Sequence, residues 1–449
     1  MLQRNSLDFL LKWQKAKKRK PLLLRGARQV GKTTLVRMLA KYYSNYVELN
    51  LEKANDKSLF DLENIEQIIN GAFLLNKISP KKGPTLFFID EIQESPEAIK
   101  QLRYFYEERP DIHVIAAGSL LEFALKKVPS FPVGRIDYLY LHPINFDEYL
   151  QACHPQALEV LHQVPVPDYG HDILLQKFHD YALIGGMPEV LSDYIESNDM
   201  IGLNKVYKKL WTAYKDDAEK YAKNNTNKTI IKHVIDTAPY QLDRIKFENF
   251  GNSNYRSREV GEALRALDLS KVIRLIYPTS SLIPPLISNF KKRPRLQFLD
   301  TGMLNQILLL QSELIGIKDL SNLHTGRIIE HLIGQELISI HTEFEFTPSF
   351  WTRENSNGNA EVDLVYQYQK HIIPIEIKSG KQGTLRSLHQ FIERTNHSFA
   401  IRMYAGVFKI EKHQTPKENK PYWLMNLPYY LGTQLPTYIA YFVEKYNMK

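Results

Sequence analysis

Cysteine is nearly absent: Cys153 is the one thiol in 449 residues, which excludes an intramolecular disulfide framework and any Cys-rich zinc module. The 14 histidines are scattered, and none stands in an H-E-x-x-H arrangement, so no structural metal is expected. No run approaches 18 uninterrupted apolar residues, which argues against a membrane span. A secretory leader is not expected either, because Arg4 and Asp8 precede an apolar run no longer than Phe9-Leu10-Leu11. A cytoplasmic location is the expectation. Internal repeats and long low-complexity linkers are also missing.

What is there is ordinary in bulk, with 43% hydrophobic and 24% charged residues. The length exceeds what one hydrophobic core usually serves, so about two to four domains are expected. The balance of charge is less ordinary. A net charge of +8 and a pI near 9.1 favour a polyanionic partner, with nucleic acid the leading class, although lysine-rich proteins reach such charges without one. The cluster Lys15, Lys17, Lys18, Arg19, Lys20 has two readings, a nucleic-acid contact or a solvated helix end where cations suit the dipole.

Residues 1–150 alternate short β-branched or aromatic runs with amphipathic stretches, the pattern of a parallel sheet with crossover helices. Residues 21–24, 46–51, 85–89 and 113–117 read as strands. Ser95 is a natural N-cap with Pro96 at N1, and Ile99, Leu102, Phe105 and Tyr106 repeat at helical spacing. Residues 151–225 read as helical, broken at Gly185-Gly186-Met187-Pro188 by a tight turn. Residues 226–305 mix short helices with an apolar run at 272–277 and a turn at Pro284-Pro285, which suggests a winged-helix unit. Residues 306–449 open with a helix and continue as strands, notably 362–367 and 371–378.

Gly26-Ala27-Arg28-Gln29-Val30-Gly31-Lys32-Thr33 matches G-x-x-x-x-G-K-[ST] at every constrained position. The glycines let successive backbone N–H groups turn toward phosphates, and a helix starting near Gly31 aims its positive end at the same anion. Lys32 supplies a mobile charge for the β- and γ-phosphates, Thr33 a hydroxyl for magnesium, and Thr34 completes the binding run. Magnesium also needs a carboxylate at the end of a neighbouring strand. Leu86-Phe87-Phe88-Ile89-Asp90-Glu91 places Asp90 there as metal ligand and Glu91 as general base for the attacking water. ATP and Mg2+ are therefore the expected cofactors. Ser119 is a candidate γ-phosphate sensor against a plain turn residue. Arg135 is a candidate arginine finger toward a neighbouring subunit, and hence a route to a homo-oligomer, against a surface ion pair.

The run GARQVGKTTL, the pair Asp90-Glu91, Gly134-Arg135 and the GGMPEV of residues 185–190 resemble a widespread group of prokaryotic AAA-family ATPases. The resemblance spans nearly the whole chain, and Phe298-Leu299-Asp300-Thr301-Gly302 resembles that family's D-T-G junction. It implies an α/β protein: a P-loop AAA-type ATPase domain with a helical lid, a winged-helix segment and a C-terminal domain of uncharacterised function.

That last domain carries Asp363 and then Glu376-Ile377-Lys378, the D…(D/E)-x-K pattern of magnesium-dependent nucleases with a restriction-endonuclease-like α/β fold. If Gln369-Lys370 is a two-residue hairpin loop, residues whose numbers sum to 739 stand opposite. Asp363 then faces Glu376 and Glu361 faces Lys378, while Val362 faces Ile377 and Leu364 faces Ile375 on the apolar side. Asp363 and Glu376 suit a shared metal, Lys378 a phosphate and its attacking water, and Glu330 a third acid from the preceding helix. Trp351 and Arg353 match a W-x-R feature of the family. Any half-buried amphipathic hairpin alternates charges in this way, so a catalytically idle fold stands beside an active nuclease. The expected reading is an ATPase acting on nucleic acid, DNA before RNA, with Arg256, Arg258, Lys291, Lys292 and Arg293 as candidate contacts. The alternative is a nucleotide-controlled switch for a protein or DNA partner.

Overall fold

Uninterrupted apolar runs become strands buried on both faces in the computed structural model, which describes residues 2–62, 64–118, 121, 132, 134–222, 224–241, 243–310, 323–355, 358–378 and 385–446. The chain divides into two units. The first is Met1–Pro143 with Leu269–Lys271 and His341–Glu345; the second is Ile144–Asp268 with Val272–Ile340 and Phe346–Lys449.

In the first unit, helix α1 (Ser6–Lys15) precedes β1 (Leu22–Arg25), α2 (Lys32–Ala40) and β2 (Asn45–Asn50). Helix α3 (Ile65–Leu75), β3 (Thr85–Asp90), α4 (Pro96–Glu108), β4 (Ile112–Ala117) and β5 (Asp137–Tyr140) follow. All neighbouring strands pair in parallel, in the order β2-β3-β4-β1-β5. Helix α4 starts where its cap dictates: the Ser95 hydroxyl accepts the Ala98 N–H at 3.1 Å and Pro96 occupies the first turn. Its Ile99, Leu102 and Phe105 then bury beside Phe87 and Ile89 of β3. Each such side chain removed from water contributes about 1.5–3 kcal/mol. Parallel pairing brings the C-terminal ends of β1, β3 and β4 to one edge, where ligands of open α/β sheets bind.

The second unit opens with helices α5 (Phe146–Cys153), α6 (His171–Ile184), α7 (Pro188–Ser197), α8 (Asn204–Glu219) and α9 (Asn225–Thr237). Then come α10 (Ser257–Leu269), β6 (Ile273–Ile276), β7 (Pro278–Thr279), β8 (Arg295–Phe298), α11 (Thr301–Ile307) and α12 (Leu323–Ser339). Strands β6 and β8 pair antiparallel, and Arg244 adds an isolated antiparallel bridge to Arg295. The rest is β9 (Ser349–Asn355), β10 (Gly358–Tyr368), β11 (His371–Ile377), α13 (Arg386–Ile392), β12 (Phe399–Tyr404), β13 (Lys409–Gln414), β14 (Pro421–Pro428) and α14 (Leu435–Tyr446). These strands form a mixed sheet, β13-β14-β12-β11-β10-β9-β7, so β7 joins strands more than 70 residues away. No helix among the described residues is long and apolar enough to cross a membrane.

The second unit begins at Ile144. The Ile144 N–H donates to the Gly186 carbonyl at 2.7 Å, and the Phe146 N–H donates to Glu336 Oε2 at 2.9 Å. Glu336 is fully buried on α12, between the Phe146 N–H and the Tyr181 hydroxyl. Its Oε1 stands 2.9 Å from the Tyr181 hydroxyl, which also lies 2.7 Å from the Ile144 carbonyl. A hydroxyl has one proton. With that proton on Ile144, a protonated Glu336 donates to Tyr181, and every group is satisfied. Burial agrees, pushing Glu336 from 4.5 up to about 8 against the two hydrogen bonds that lower it. The folded chain thus holds a proton that the unfolded chain releases near 4.5, so this stability is present at low pH and lost as pH rises toward 8. Glu336→Gln, an isostere of the neutral acid, is expected to melt like the parent at pH 5 and several degrees above it at pH 8.5. Parallel melting curves across that range would remove the buried proton.

Candidate functional site

Two constellations stand out, one in each unit. In the first, β1 ends at Arg25 and the chain turns through Gly26 (φ 150°), Gln29 (φ 61°) and Gly31 (φ 93°) into α2. A Cβ on Gly26 would run into the Leu141 carbonyl oxygen, so that turn needs glycine. Ala27 and Val30 are buried beneath the loop, whereas Arg28, Gln29 and Thr34 are exposed. The Lys32 ammonium lies over the loop, donating to the carbonyls of Gly26 (3.0 Å) and Ala27 (2.8 Å).

Asp90, the last residue of β3, accepts a hydrogen bond from the Thr33 hydroxyl at 2.8 Å. Burial lifts its carboxyl above the usual range, and the Thr33 bond partly opposes this. A hydroxyl and a carboxylate side by side are hard oxygen donors of the kind magnesium takes, so the residues present fit that ion. Glu91 sits at φ 52°, in the left-handed region unusual for a side chain of its size. Its Oε2 accepts from Gln93 Nε2 at 2.6 Å, and Gln93 in turn lies against Gly118 at the end of β4.

Sequence reasoning missed two of these supports. Arg4, 9% exposed, donates to the Val30 carbonyl (2.8 Å) and the His142 carbonyl (2.7 Å), tying the phosphate loop to the chain after β5. Gln93 holds the carboxylate of Glu91. A lone arginine near the start and a glutamine two residues past an acidic pair carry no pattern of their own. Ser119 lies outside the described residues. Arg135 is partly exposed and pairs with Glu107, which also accepts from Arg103.

In the second unit, β10 and β11 pair from Leu364↔Ile375 to Tyr368↔His371, so paired numbers sum to 739 around Gln369-Lys370. Beyond that ladder Asp363 Oδ2 accepts the Ile377 N–H at 2.8 Å. Glu376 is 6% exposed; Oε1 takes the Lys378 ammonium at 2.6 Å, and Oε2 has no hydrogen-bond partner among the described residues. Glu330 on α12 lines a cavity of about 380 Å³ together with Arg295, Asp363 and Ile377. Burial raises the carboxyls of Glu330, Asp363 and Glu376; the charge of Asp363 adds to this at Glu330 and Glu376, and that of Glu361 at Asp363. Burial alone would lower the Lys378 ammonium, but Glu376, Asp363 and Glu330 together hold it above its ordinary value.

Hard oxygen donors and an orphaned buried carboxylate oxygen suit a divalent ion in kind. Among the described residues, however, no group of three His, Cys, Asp or Glu side chains is arranged to hold one. Trp351 belongs to the sheet's core, edge-on to Phe391 at 5.1 Å, and Arg353 reaches Gln390 on α13 at 3.2 Å. Trp351 thus supports the sheet.

Residues 18–150 match a family model described as an AAA domain. Residues 175–314 and 325–430 match two models described as domains of unknown function, DUF8612 and DUF4143. An uncharacterized protein of Methanocaldococcus jannaschii is 24% identical over 409 residues, covering 86% of this chain and 80% of its own. Among solved structures, a Walker-type ATPase of Pyrococcus abyssi aligns at 13% identity and TM-score 0.46, covering 69% of this chain and 96% of that one. The Pif1 helicase from Bacteroides aligns at 19% identity and TM-score 0.23, covering 40% and 50%.

Proposed function

We propose that the AAA-type P-loop domain at residues 18–150 hydrolyses ATP and that the chain couples this to nucleic acid. The observation that carries the ATPase reading is the Thr33 hydroxyl on Asp90 with Glu91 beside it at the end of β3. Lys32 and the N–H groups of residues 27–33 bind the phosphates, and Lys32 exchanges its loop carbonyls for phosphate oxygens. Thr33 and Asp90 hold magnesium, which neutralises charge on the phosphates when bound. Glu91 takes a proton from the water whose oxygen attacks the γ-phosphorus, and ADP leaves with its bridging oxygen. A finger role for Arg135 requires it to leave Glu107 for a neighbouring subunit's phosphate.

Support for nucleic acid comes from the element order in the second unit. Helix α9, the bridge at Arg244, helix α10 and the β6/β8 pair follow one another as in a winged helix. Arg256 and Arg258 are exposed at the start of α10, and Lys291 and Arg293 are exposed just before β8. Lys292 is instead half-buried and bound to Glu354 at 3.5 Å. Duplex DNA is the expected ligand. Its affinity for the full chain should fall steeply with salt, and Arg256→Ala with Arg258→Ala should reduce the log–log slope by roughly 2, about 0.9 per lost phosphate contact. A flat isotherm at low salt, with and without ATP, would remove nucleic acid and leave the ATPase.

The mixed sheet carrying Asp363, Glu376 and Lys378 supports a nuclease-like C-terminal module. A specific observation favours the second reading, a switch whose nuclease-like module is idle: Arg295 already stands among the carboxylates.

A further inference from the structure

Besides Lys378, a second cation stands at the carboxylate cluster, and it comes from outside the hairpin that builds it. Arg295 opens β8, where it pairs with Ile276 of β6 and bridges to Arg244. Its guanidinium reaches Glu361 in a short ion pair, Glu330 Oε2 at 3.5 Å and Asp363 Oδ1 at 4.0 Å. It also donates to the Asp363 carbonyl at 3.4 Å and lies over the Phe350 ring at 4.5 Å. A planar fork stacked on an aromatic face and shared by three carboxylates is held in place, not left swinging. Two more cations from the same stretch meet the sheet beside it: Arg244 pairs with Glu354 and Glu361, and Lys292 with Glu354.

We propose that Arg295 is the resident counter-cation of the Asp363–Glu376–Glu330 cluster and that it excludes divalent metal from it. This rests on the reading of those carboxylates as a metal site. A divalent ion bonds a carboxylate oxygen at roughly 2.0–2.6 Å. On Asp363 Oδ1 it would stand within a few ångströms of the Arg295 fork, and like charges that close repel each other. Guanidinium and metal are therefore alternatives. The orphaned Glu376 Oε2 is what such a closed site leaves behind: the cluster's acid deepest from solvent keeps an acceptor that Arg295 does not reach and Lys378 does not fill. A guanidinium gives up carboxylates most readily for phosphates, which it binds in the same two-pronged manner. A nucleic-acid backbone reaching Arg295 would thus uncover the carboxylates where a scissile phosphate has arrived.

The test is Mn2+ binding to the full chain without nucleotide, by calorimetry and by the electron-spin signal of free Mn2+. Each chain is paired with its own Asp363→Asn derivative, so that only Asp363-dependent binding counts. Wild type is expected to show little. Arg295→Gln should gain an Asp363-dependent site at least tenfold tighter. Glu361→Gln keeps Arg295 but removes one of its anchors, and should shift binding the same way by a smaller factor, so the proposal stays testable if Arg295→Gln folds poorly. Asp363-dependent Mn2+ binding as tight in wild type as in both variants would overturn the exclusion by Arg295 while leaving the metal site standing. No Asp363-dependent binding in folded Arg295→Gln or Glu361→Gln would overturn both.

Discussion

Glu91→Gln is expected to lower ATP turnover by about 10²-fold or more while leaving ATP affinity within a few-fold of wild type. Glutamine keeps an acceptor for Gln93 Nε2 and leaves the Thr33–Asp90 pair untouched, so what is lost is the base. The backbone gives an independent reason to assign Glu91 a task. Holding a glutamate at φ 52° costs on the order of 1 kcal/mol that glycine or asparagine would largely avoid, and such strain gathers where a side chain is needed. Lys32→Ala should act differently. It removes a charge-assisted contact of roughly 1.5–3 kcal/mol to the phosphates, so ATP affinity itself falls about 10- to 100-fold and turnover falls with it. Fluorescent-nucleotide titration and phosphate release separate the two. Equal loss of binding in both variants, or undiminished turnover in Glu91→Gln, would mean that Glu91 has been misassigned.

The parts of these sites legible in the sequence are those built from neighbours in the chain. The phosphate loop needs glycine at Gly26 and Gly31 for backbone reasons that any sequence must satisfy, so the local pattern announces it. The β10/β11 register follows from a two-residue loop, and one sum places five pairs. What could not be read are contacts that tertiary packing makes between distant residues without a repeating pattern. Arg4 reaches His142 across 138 positions, and Arg295 reaches Glu361 across 66. Nothing near either arginine distinguishes it from other basic residues on a chain of net charge +8. The place of β7 in the mixed sheet is hidden in the same way. Two residues of β7 pair in parallel with β9, and a strand that short has no periodicity to detect.

The Gly185-Gly186-Met187-Pro188 turn and the Asp300-Thr301-Gly302 junction also look unrelated in sequence, yet they form one buried joint. Asp300, with no exposed surface, caps α11 by accepting the Met303 N–H at 2.9 Å and accepts the Gly186 N–H at 2.5 Å through its other oxygen. A Cβ on Gly302 would strike the Ile184 carbonyl, and one on Gly185 the Asp300 carboxylate itself. Burial raises the Asp300 carboxyl to about 6, and the N–H groups of Gly186, Met303 and Gly302 oppose that rise, so at neutral pH a charge is held inside by backbone donors. Its place at the start of a helix adds favourable dipole. Asp300→Ala strands those donors without water and is expected to cost about 3–5 kcal/mol, the range for breaking a buried charged network. In a unit this large, that lowers the melting temperature by on the order of 10 °C. Asp300→Asn should fall between Ala and wild type, because one of its two prongs becomes an NH2 facing an N–H. Thermal melts followed by circular dichroism decide it. A loss below about 3 °C for Asp300→Ala would show that the two motifs touch without depending on each other.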